Sequence, residues 1–262
     1  MRGNLEDKKM SKVIVGLTSI PPRFESLHVT LDSLHNQTPK PDKIYLYIAD
    51  YYERFKQKVT LESLPKFLFD YDLLEIKTGK DYGPISKLFV SLQNETDDDS
   101  IIVTCDDDLI YDNGWLDALI CNSNRLPDKA VGYRGRVLGR TLTYQRTKCI
   151  STNRLPNDTA VDIVTAVRGW AYKRKFFHAD YILEWEKTRK KHPYIFFNDD
   201  IWISGTLEQV NIEKILFANT PVRSHNLKLE SSLIKSEGQS TKTNKQIDLF
   251  KKYWKRGKSQ NV

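Results

Sequence analysis

Short apolar runs alternate with amphipathic segments along the first half of the chain. Four runs have the length and composition of buried strands: 13–17, 43–48, 74–77 and 100–105. Between them, apolar residues recur every three or four positions, which predicts helices at 24–34, 61–69 and 84–93. This β-α-β-α series indicates a largely parallel sheet with right-handed crossovers and with helices on its faces.

The second half of the chain is less regular. Its pattern predicts strands at 130–133, 161–167 and 215–218 and helices at 180–190 and 199–209. The segment 132–154 is rich in Arg, Thr and Gly, and its pattern fits either a mobile loop or an antiparallel insertion. The sequence therefore predicts an α/β fold with a mostly parallel central sheet and an irregular second half.

Composition is that of an ordinary globular protein, with 39% hydrophobic and 29% charged residues over 262 positions. We expect a polar tail at 1–10, disordered or vector-derived, and a single domain over 11–241. There is no run of eighteen apolar residues and no signal peptide pattern, and the three cysteines are not spaced as zinc ligands. These features predict reduced thiols and a cytoplasmic location.

The net charge of +7 is concentrated in the last residues. The segment 242–262 carries seven basic residues and one acidic residue, so the rest of the chain is nearly neutral. This distribution argues against a nucleic-acid partner. The same segment has apolar residues at helical spacing, which predicts a basic amphipathic helix that packs on the body; contact with an anionic membrane is the alternative use.

Three adjacent carboxylates, Asp106 to Asp108, follow the predicted strand at 100–105. Crowded carboxylates raise one another's pKa unless a cation or hydrogen-bond donors compensate, and oxygen ligands suit Mg2+ or Mn2+ with substrate phosphates. Ligands of open α/β sheets collect beyond the carboxyl ends of strands, which is where this triplet lies and where 97–99 does not. A strand end with solvated or helix-capping acids is the alternative.

The order of five short motifs resembles nucleotide-sugar glycosyltransferases of the GT-A fold, closest to family 2-like members. The motifs are VIVGLTSIPPR (13–23), DYGPISK (81–87), TCDDD (104–108), GWAYKR (169–174) and NDD (198–200). The resemblance covers roughly 11–225 and implies a Rossmann-like sheet. It also implies inverting, metal-dependent transfer of a sugar from a nucleoside diphosphate sugar, with uridine diphosphate as the expected nucleotide, to a hydroxyl of a glycan acceptor.

Asp106 and Asp108 are the candidate metal ligands, because a carboxylate-held cation neutralises the charge that builds up on a departing diphosphate. The resemblance implies that Asp108 binds the metal directly, that Asp106 contacts ribose or a metal-bound water, and that Asp107 faces the sugar. It also implies that His225 completes the metal or diphosphate site. A surface histidine or a hydrogen-bonded core histidine is the alternative for His225.

Asp199 and Asp200 are the candidate catalytic pair, because an in-line displacement needs a base on the face of the sugar opposite the diphosphate. The resemblance gives Asp200 the role of base and Asp199 a supporting role. The alternative is ordinary helix-start chemistry, with Asn198 as N-cap and acidic residues in the first turn.

Donor recognition is assigned through the resemblance to residues near the strand ends. They are Thr18, Ser19, Arg23, Asp50, Asp81, Lys87, Gly169 and Trp170, in addition to Asp106 and Asp107. Lys87 would offer a point charge to phosphate, and a solvated lysine is its alternative. Trp170 would stack on a sugar, and a core tryptophan is its alternative.

Other protein classes also use clustered acids. A metal-dependent phosphoesterase would need more ligands than one triplet and one distant pair. A sugar nucleotidyltransferase would be expected to carry a glycine-rich loop after the first strand, and 18–23 contains no glycine. A carbohydrate-binding module without catalytic activity is the third alternative. Glycine-rich phosphate-loop and dinucleotide motifs do not occur.

Overall fold

The computed structural model describes residues 11–218, 220, 224–227 and 239–255. The predicted tail at 1–10 lies outside the described residues, as do positions 256–262 of the basic C-terminal segment. Within the described ranges, none of the helices combines the length and the apolar composition that crossing a lipid bilayer requires.

Fifteen strands and six α-helices are formed by the described residues. The strands are β1 (Val13–Thr18), β2 (Lys43–Ala49), β3 (Tyr51–Tyr52), β4 (Gln57–Lys58), β5 (Leu74–Gly79), β6 (Ile101–Thr104), β7 (Leu109–Tyr111), β8 (Lys129–Gly132), β9 (Arg134–Val137), β10 (Lys148–Ser151), β11 (Thr159–Val161), β12 (Ile163–Val164), β13 (Trp170–Lys173), β14 (Glu213–Leu216) and β15 (Ser224–Asn226). The helices are α1 (Leu27–His35), α2 (Ser86–Asn94), α3 (Trp115–Arg125), α4 (Tyr181–Lys191), α5 (Asp199–Gln209) and α6 (Gln239–Leu249).

The central sheet has eight strands in the order β11-β14-β8-β13-β6-β1-β2-β5. Strands β5, β2, β1 and β6 are parallel neighbours, with Val15 opposite Ile44 on one side and Val103 on the other. Strand β13 runs antiparallel to β6 and β8, β14 is parallel to β8, and β11 is an antiparallel edge. The predicted α/β class with a mostly parallel sheet is confirmed.

Alternate residues of β1 explain why its sequence reads as a continuous apolar run. Val15 and Leu17 pack on one face with Leu31 of α1, whereas Ile14 packs on the other face with Phe89 of α2. A parallel strand covered by helices on both faces has no polar side, so the alternation seen in half-exposed strands is absent.

One element in the second half differs from its sequence prediction, and another settles an alternative that the sequence left open. The strand predicted at 161–167 is two strands, because the chain changes sheets at Asp162: β11 pairs with β14 in the central sheet and β12 pairs with β9. The Asp162 carboxylate accepts a hydrogen bond from the Leu138 amide at 2.6 Å, which fixes this crossing. The segment 132–154 contains β9 and β10, which form a three-stranded antiparallel sheet with β12, so the antiparallel-insertion alternative is the correct one.

The prediction of a single helix at 61–69 is also wrong. Two short 3-10 turns, Leu61–Ser63 and Lys66–Phe69, replace it. Pro65 stands between them, and because proline lacks an N–H and disfavours a helical conformation at the preceding residue, a continuous helix cannot form there.

The C-terminal segment packs on the body of the protein. Ile247, Phe250 and Trp254 are buried, and the Phe250 ring lies so close to Gly205 of α5 that a Cβ atom there would come within 2.2 Å of it. The apolar residues of this segment therefore pack on the body of the protein, which is the first of the two roles expected for the segment.

Gly16 of β1 sets the distance between the sheet and α2. A Cβ atom at this position would lie 2.0 Å from the backbone carbonyl oxygen of Lys87. Helix α2 therefore docks directly on the backbone of β1, and this places Lys87 near the carboxyl end of that strand.

We predict that Gly16→Ala destabilises the protein by roughly 1–3 kcal/mol, because backbone rather than a flexible side chain would have to move. Gly139→Ala is the matched control, since its Cβ would meet only the Arg146 carbonyl at 3.5 Å, an ordinary contact. Urea unfolding followed by circular dichroism measures both variants. Equal midpoints for the two would show that the docking of α2 is not tight.

Candidate functional site

The candidate site lies where the carboxyl ends of β1 and β6 meet. From β1 the chain proceeds to β2 and β5 on one side, and β6 then adds on the other side of β1. Such a reversal of strand order opens a crevice between the loops that follow the two strands. Ser19 follows β1, and Asp106 to Asp108 follow β6, so both segments line this crevice.

Asp107 connects the two loops across the crevice. Its carboxylate accepts hydrogen bonds from the Ser19 hydroxyl at 2.5 Å and from Arg23 at 2.6 Å. Arg23 also forms an ion pair with Asp108 at 3.1 Å. Burial raises the pKa of Asp107, while Arg23 and Ser19 oppose that rise.

The expectation that Asp107 faces the sugar is wrong. The residue is only 5% exposed, and both carboxylate oxygens are engaged by Ser19 and Arg23. Its physical role in this structure is to hold the loop after β1 against the loop after β6. Ser19 and Arg23, both predicted as donor-binding residues, are partners of the triplet here.

Lys87 brings the two acidic groups together. Its ammonium group lies 2.8 Å from an Asp106 carboxylate oxygen and 3.0 Å from a carboxylate oxygen of Asp199. The Lys87 side chain is 5% exposed, and although burial disfavours its charge, Asp106, Asp199 and Asp200 together raise its pKa well above the usual value. Two acidic motifs more than ninety positions apart in sequence therefore share one buried cation.

Asp200 stands at the start of α5 and contacts the loop before β13. One carboxylate oxygen accepts a hydrogen bond from the Ala166 amide at 2.8 Å. Burial, and then the neighbouring Asp199 carboxylate, raise the pKa of Asp200 to about 8 despite the opposing charge of Lys87. Asn198 caps the helix through the Ile201 amide at 3.3 Å, so helix-start chemistry and the acid cluster occur together.

Negative charge is in excess at the site. Five carboxylates, those of Asp106, Asp107, Asp108, Asp199 and Asp200, are compensated by the cations of Arg23 and Lys87. Burial and the nearby Asp106 raise the pKa of Asp108 to about 6. Asp108 is partly exposed and its ionised form is disfavoured. An added cation would stabilise that ionised form.

His225 lies on a strand that pairs with the residues directly after the triplet, and the Leu227 amide donates to the Asp108 carbonyl at 2.9 Å. Strand β15, which carries it, pairs antiparallel with β7, and the imidazole Nε2 lies 2.9 Å from a carboxylate oxygen of Asp112. Its side chain is 61% exposed. Among the residues that the structure describes, no group of three or more His, Cys, Asp or Glu side chains is arranged to hold a metal ion. The set of Asp106, Asp108 and His225 stays a prediction.

The remaining predicted donor residues have separate positions. The Thr18 hydroxyl donates to the Tyr47 carbonyl at 2.9 Å, so it is used inside the sheet. Asp50 is exposed at the end of β2, and Asp81 accepts a hydrogen bond from the Gly83 amide at 2.8 Å. Burial raises the pKa of Asp81.

Trp170 and Gly169 do not form an open wall. Trp170 is fully buried in the central strand β13, and its indole N–H donates to the Arg134 carbonyl at 2.7 Å. Gly169 adopts φ +100° and lies against the Trp115 ring. The core alternative for Trp170 is therefore the correct one, because its fully buried ring offers no open face to a sugar.

Sequence reasoning missed two residues that shape the triplet. The Thr30 hydroxyl of α1 donates to the Asp107 carbonyl at 3.0 Å and to the Leu109 carbonyl at 2.8 Å. The Tyr111 hydroxyl accepts from the Asp106 amide at 2.9 Å and donates to the Asp106 carbonyl at 3.2 Å. A threonine in an amphipathic helix and a tyrosine in a short strand carry no sequence signal for such contacts.

No protein-family model matches the chain, and no curated protein is significantly similar to it. The structure itself defines the protein as a mixed α/β protein whose large, mostly parallel sheet carries an acidic cluster at its strand-order reversal.

We predict that Lys87→Met lowers the free energy of unfolding by about 3–5 kcal/mol, because Asp106 and Asp199 lose their shared cation. Adding Asp199→Asn to this variant removes one unpaired charge and should recover part of the loss. Lys129→Met is the matched control, since its pair with Glu213 is more than a third exposed and is expected to contribute at most about 1 kcal/mol. Urea unfolding at pH 7 measures all three, and similar losses for Lys87→Met and Lys129→Met would contradict the prediction.

We also predict that Asp200→Asn makes stability less sensitive to pH. The pKa of Asp200 is raised on folding, so the folded state holds the proton more tightly than the unfolded state, and wild-type stability falls as pH rises from the unfolded pKa of about 4 to about 8. Asparagine keeps the acceptor for the Ala166 amide but never ionises. The stability of the variant relative to wild type should rise across this window, by at most about 1.4 kcal/mol per pH unit. Parallel urea titrations at pH 5, 6, 7 and 8 provide the measurement, and a constant difference would show that Asp200 does not titrate there.

Proposed function

We propose that this chain is an inverting, metal-dependent glycosyltransferase of the GT-A type. Its donor would be a nucleoside diphosphate sugar, with a uridine diphosphate sugar as the favoured one, and its acceptor a hydroxyl group of a glycan. The observation that carries the proposal is the meeting of Asp106 to Asp108 with Asp199 and Asp200 around Lys87, beside the crevice between β1 and β6.

The reaction needs acidic groups on both sides of the transferred sugar. On one side a carboxylate accepts the proton of the acceptor hydroxyl, and on the other side carboxylates hold the cation at the diphosphate. As the acceptor oxygen bonds to the anomeric carbon, the bond from that carbon to the diphosphate breaks, and the anomeric configuration inverts. The acceptor proton passes to the Asp200 carboxylate, and the electron pair of the broken bond leaves on the diphosphate. Asp199, which pairs with Lys87, raises the affinity of the buried Asp200 carboxylate for a proton.

Asp106 and Asp108 would hold Mg2+ or Mn2+. Their donor set fits such an ion, because both are oxygen ligands, and these cations take one or two carboxylates together with waters and substrate phosphates. The raised pKa of Asp108 fits as well, since burial and then the nearby Asp106 disfavour its charged form, which a bound cation would stabilise. The bound ion would supply charge stabilisation for the departing diphosphate.

Nucleotide binding and sugar transfer test the proposal directly. We expect uridine diphosphate with Mn2+ to raise the melting temperature of the full chain, because a ligand that binds only the folded state stabilises it. The double variant Asp106→Asn/Asp108→Asn should lose this metal-dependent shift. Asp200→Asn should keep the shift in melting temperature. Its rate of donor consumption should fall at least about a hundredfold, which is the contribution typical of a general base. Asp98→Asn, in the acidic stretch before β6, is the control and should change neither quantity.

Three results would contradict the proposal, each in a different direction. If no nucleoside diphosphate or its sugar stabilises the protein, with or without metal, the transferase assignment fails. If sugars bind without metal and Asp200→Asn has no effect on any reaction, the chain is a carbohydrate-binding module. If labelled donor is consumed but glycerol, offered as a simple acceptor, never receives the sugar, hydrolysis replaces transfer and a phosphoesterase is favoured.

A further inference from the structure

The antiparallel insertion is the most basic part of the described structure. Residues 132–154 contain six Arg or Lys and no Asp or Glu. The net charge of +7 is made of +6 from this stretch, +6 from 242–262 and −5 from the rest of the chain. The insertion is therefore one of two segments that carry the positive charge, and the chain outside both segments is negative.

The cations of the insertion are not used in ion pairs within the described part of the chain. Five of them have described side chains: Arg134, Arg136, Arg140, Arg146 and Lys148. Each recorded ion pair among the described residues involves other cations. Arg140, Arg146 and Lys148 are exposed, so their charge is available to a ligand.

Arg136 is held in a fixed position at the centre of this surface. Its guanidinium carbon lies 4.6 Å from the centre of the Tyr144 ring, and its Nη1 donates to the Thr147 hydroxyl at 3.0 Å. Its Nε is buried and makes no hydrogen bond to a described residue. A guanidinium group held by a ring face and a hydroxyl group keeps further N–H donors, and its planar fork matches the geometry of a carboxylate or phosphate.

Backbone contacts join the insertion to Asp200. The Thr165 amide donates to the Arg134 carbonyl at 3.1 Å, and the next amide, that of Ala166, donates to the Asp200 carboxylate at 2.8 Å. Strand β12 places Ile163 opposite Arg136, and the Val164 amide donates to the Ser204 hydroxyl of α5 at 2.8 Å.

Tyr144 lies in the same electrostatic environment as Asp200. Burial raises the pKa of Tyr144 and the Asp200 carboxylate raises it further, whereas Arg136 and Arg134 lower it. The aromatic ring that supports Arg136 is therefore subject to the charge of the group proposed to receive the acceptor proton.

Helix α6 fixes the turn that carries Tyr144. The Tyr144 amide donates to the Asn244 side-chain oxygen at 2.8 Å, and the Asn244 amide group donates to Gln145 at 3.0 Å. Gln246 of the same helix donates to the Tyr194 carbonyl at 2.6 Å, in the 3-10 turn Pro193–Phe197 just before Asp199. The same helix thus braces the basic surface and the segment leading to the catalytic pair.

We propose that this basic insertion binds a negatively charged group, a carboxylate or a phosphate, carried by the acceptor glycan next to the hydroxyl that is glycosylated. The inference rests on the proposed function, because it takes Asp200 as the base. The acceptor hydroxyl must then lie at Asp200, so groups that flank Asp200 contact the acceptor. The donor diphosphate belongs with Asp106 and Asp108 in the crevice between β1 and β6. Arginine forks match carboxylate and phosphate geometry, which favours an acidic sugar over a neutral one.

Binding of matched charged and neutral sugars to the full chain tests the inference. The probes are trigalacturonic acid against its methyl ester, and maltotriose 6-phosphate against maltotriose, so that one pair reports carboxylate and the other phosphate recognition. We expect at least one acid to bind at least tenfold more tightly than its neutral counterpart, with affinity falling as salt is raised.

Two charge-matched triple variants separate a local surface from net charge. Arg140→Gln/Arg146→Gln/Lys148→Gln should weaken binding of the preferred acid at least tenfold. Lys40→Gln/Lys66→Gln/Lys187→Gln removes the same charge from exposed positions elsewhere and should stay within twofold of wild type. Arg136→Lys keeps the charge but not the fork, and we expect it to weaken the acid and leave the neutral sugar unchanged.

Equal binding of acid and neutral sugars, or equal losses of affinity in both triple variants, would overturn the inference. The proposed function would still stand in that case if the chain binds uridine diphosphate and hydrolyses the donor. Weaker uridine diphosphate binding in the insertion variant, without loss of acid binding, would assign these cations to the donor and also overturn it. If no nucleotide binds or is consumed, the proposed function fails, and the acceptor role fails with it.

Discussion

One buried ammonium group organises the candidate site. Lys87 is placed by the close docking of α2 on Gly16, and it contacts Asp106 from the loop after β6 and Asp199 from the start of α5. Burying a charge is costly unless partners compensate, so neither acidic segment can move away from Lys87 without leaving an unpaired charge in the interior. The relative position of the two halves of the chain at this point is a consequence of that constraint.

A second buried cation acts in the same way on the other side of the triplet. Arg23 binds Asp107 and Asp108, and Ser19 joins it on Asp107, so the loop after β1 is tied to the loop after β6. These contacts explain why three adjacent aspartates have different positions and roles. Asp107 is used to hold the loops together, whereas Asp106 and Asp108 keep part of their carboxylates exposed at the crevice.

Different elements of the chain contribute groups of opposite charge. The central sheet and α5 supply carboxylates, while the insertion formed by β9, β10 and β12 supplies cations that lack acidic partners among the described residues. Helix α6 contacts the insertion at Tyr144 and the turn before α5 at Tyr194, so it holds the basic and acidic sides in one arrangement. In the proposed reaction both substrates are anionic: the acidic side suits a diphosphate bound through a cation, whereas the basic side suits an acidic acceptor directly.

The sequence by itself determined the parallel half of the sheet, because strands covered on both faces are continuous apolar runs and the helices between them keep a 3.6-residue period. It also determined helix α5 and the positions of the two acidic motifs. What only the tertiary structure decided were long-range pairings: the sharing of Lys87 by Asp106 and Asp199, the burial of Asp107 and Trp170, and the contact of His225 with Asp112. The same holds for the break at Asp162, where one apolar run serves two sheets. The local sequence pattern indicates whether a residue is suited to a strand, to a helix or to a charged site. The identity of its partner depends on which segments the folded sheet brings together, and no local pattern contains that information.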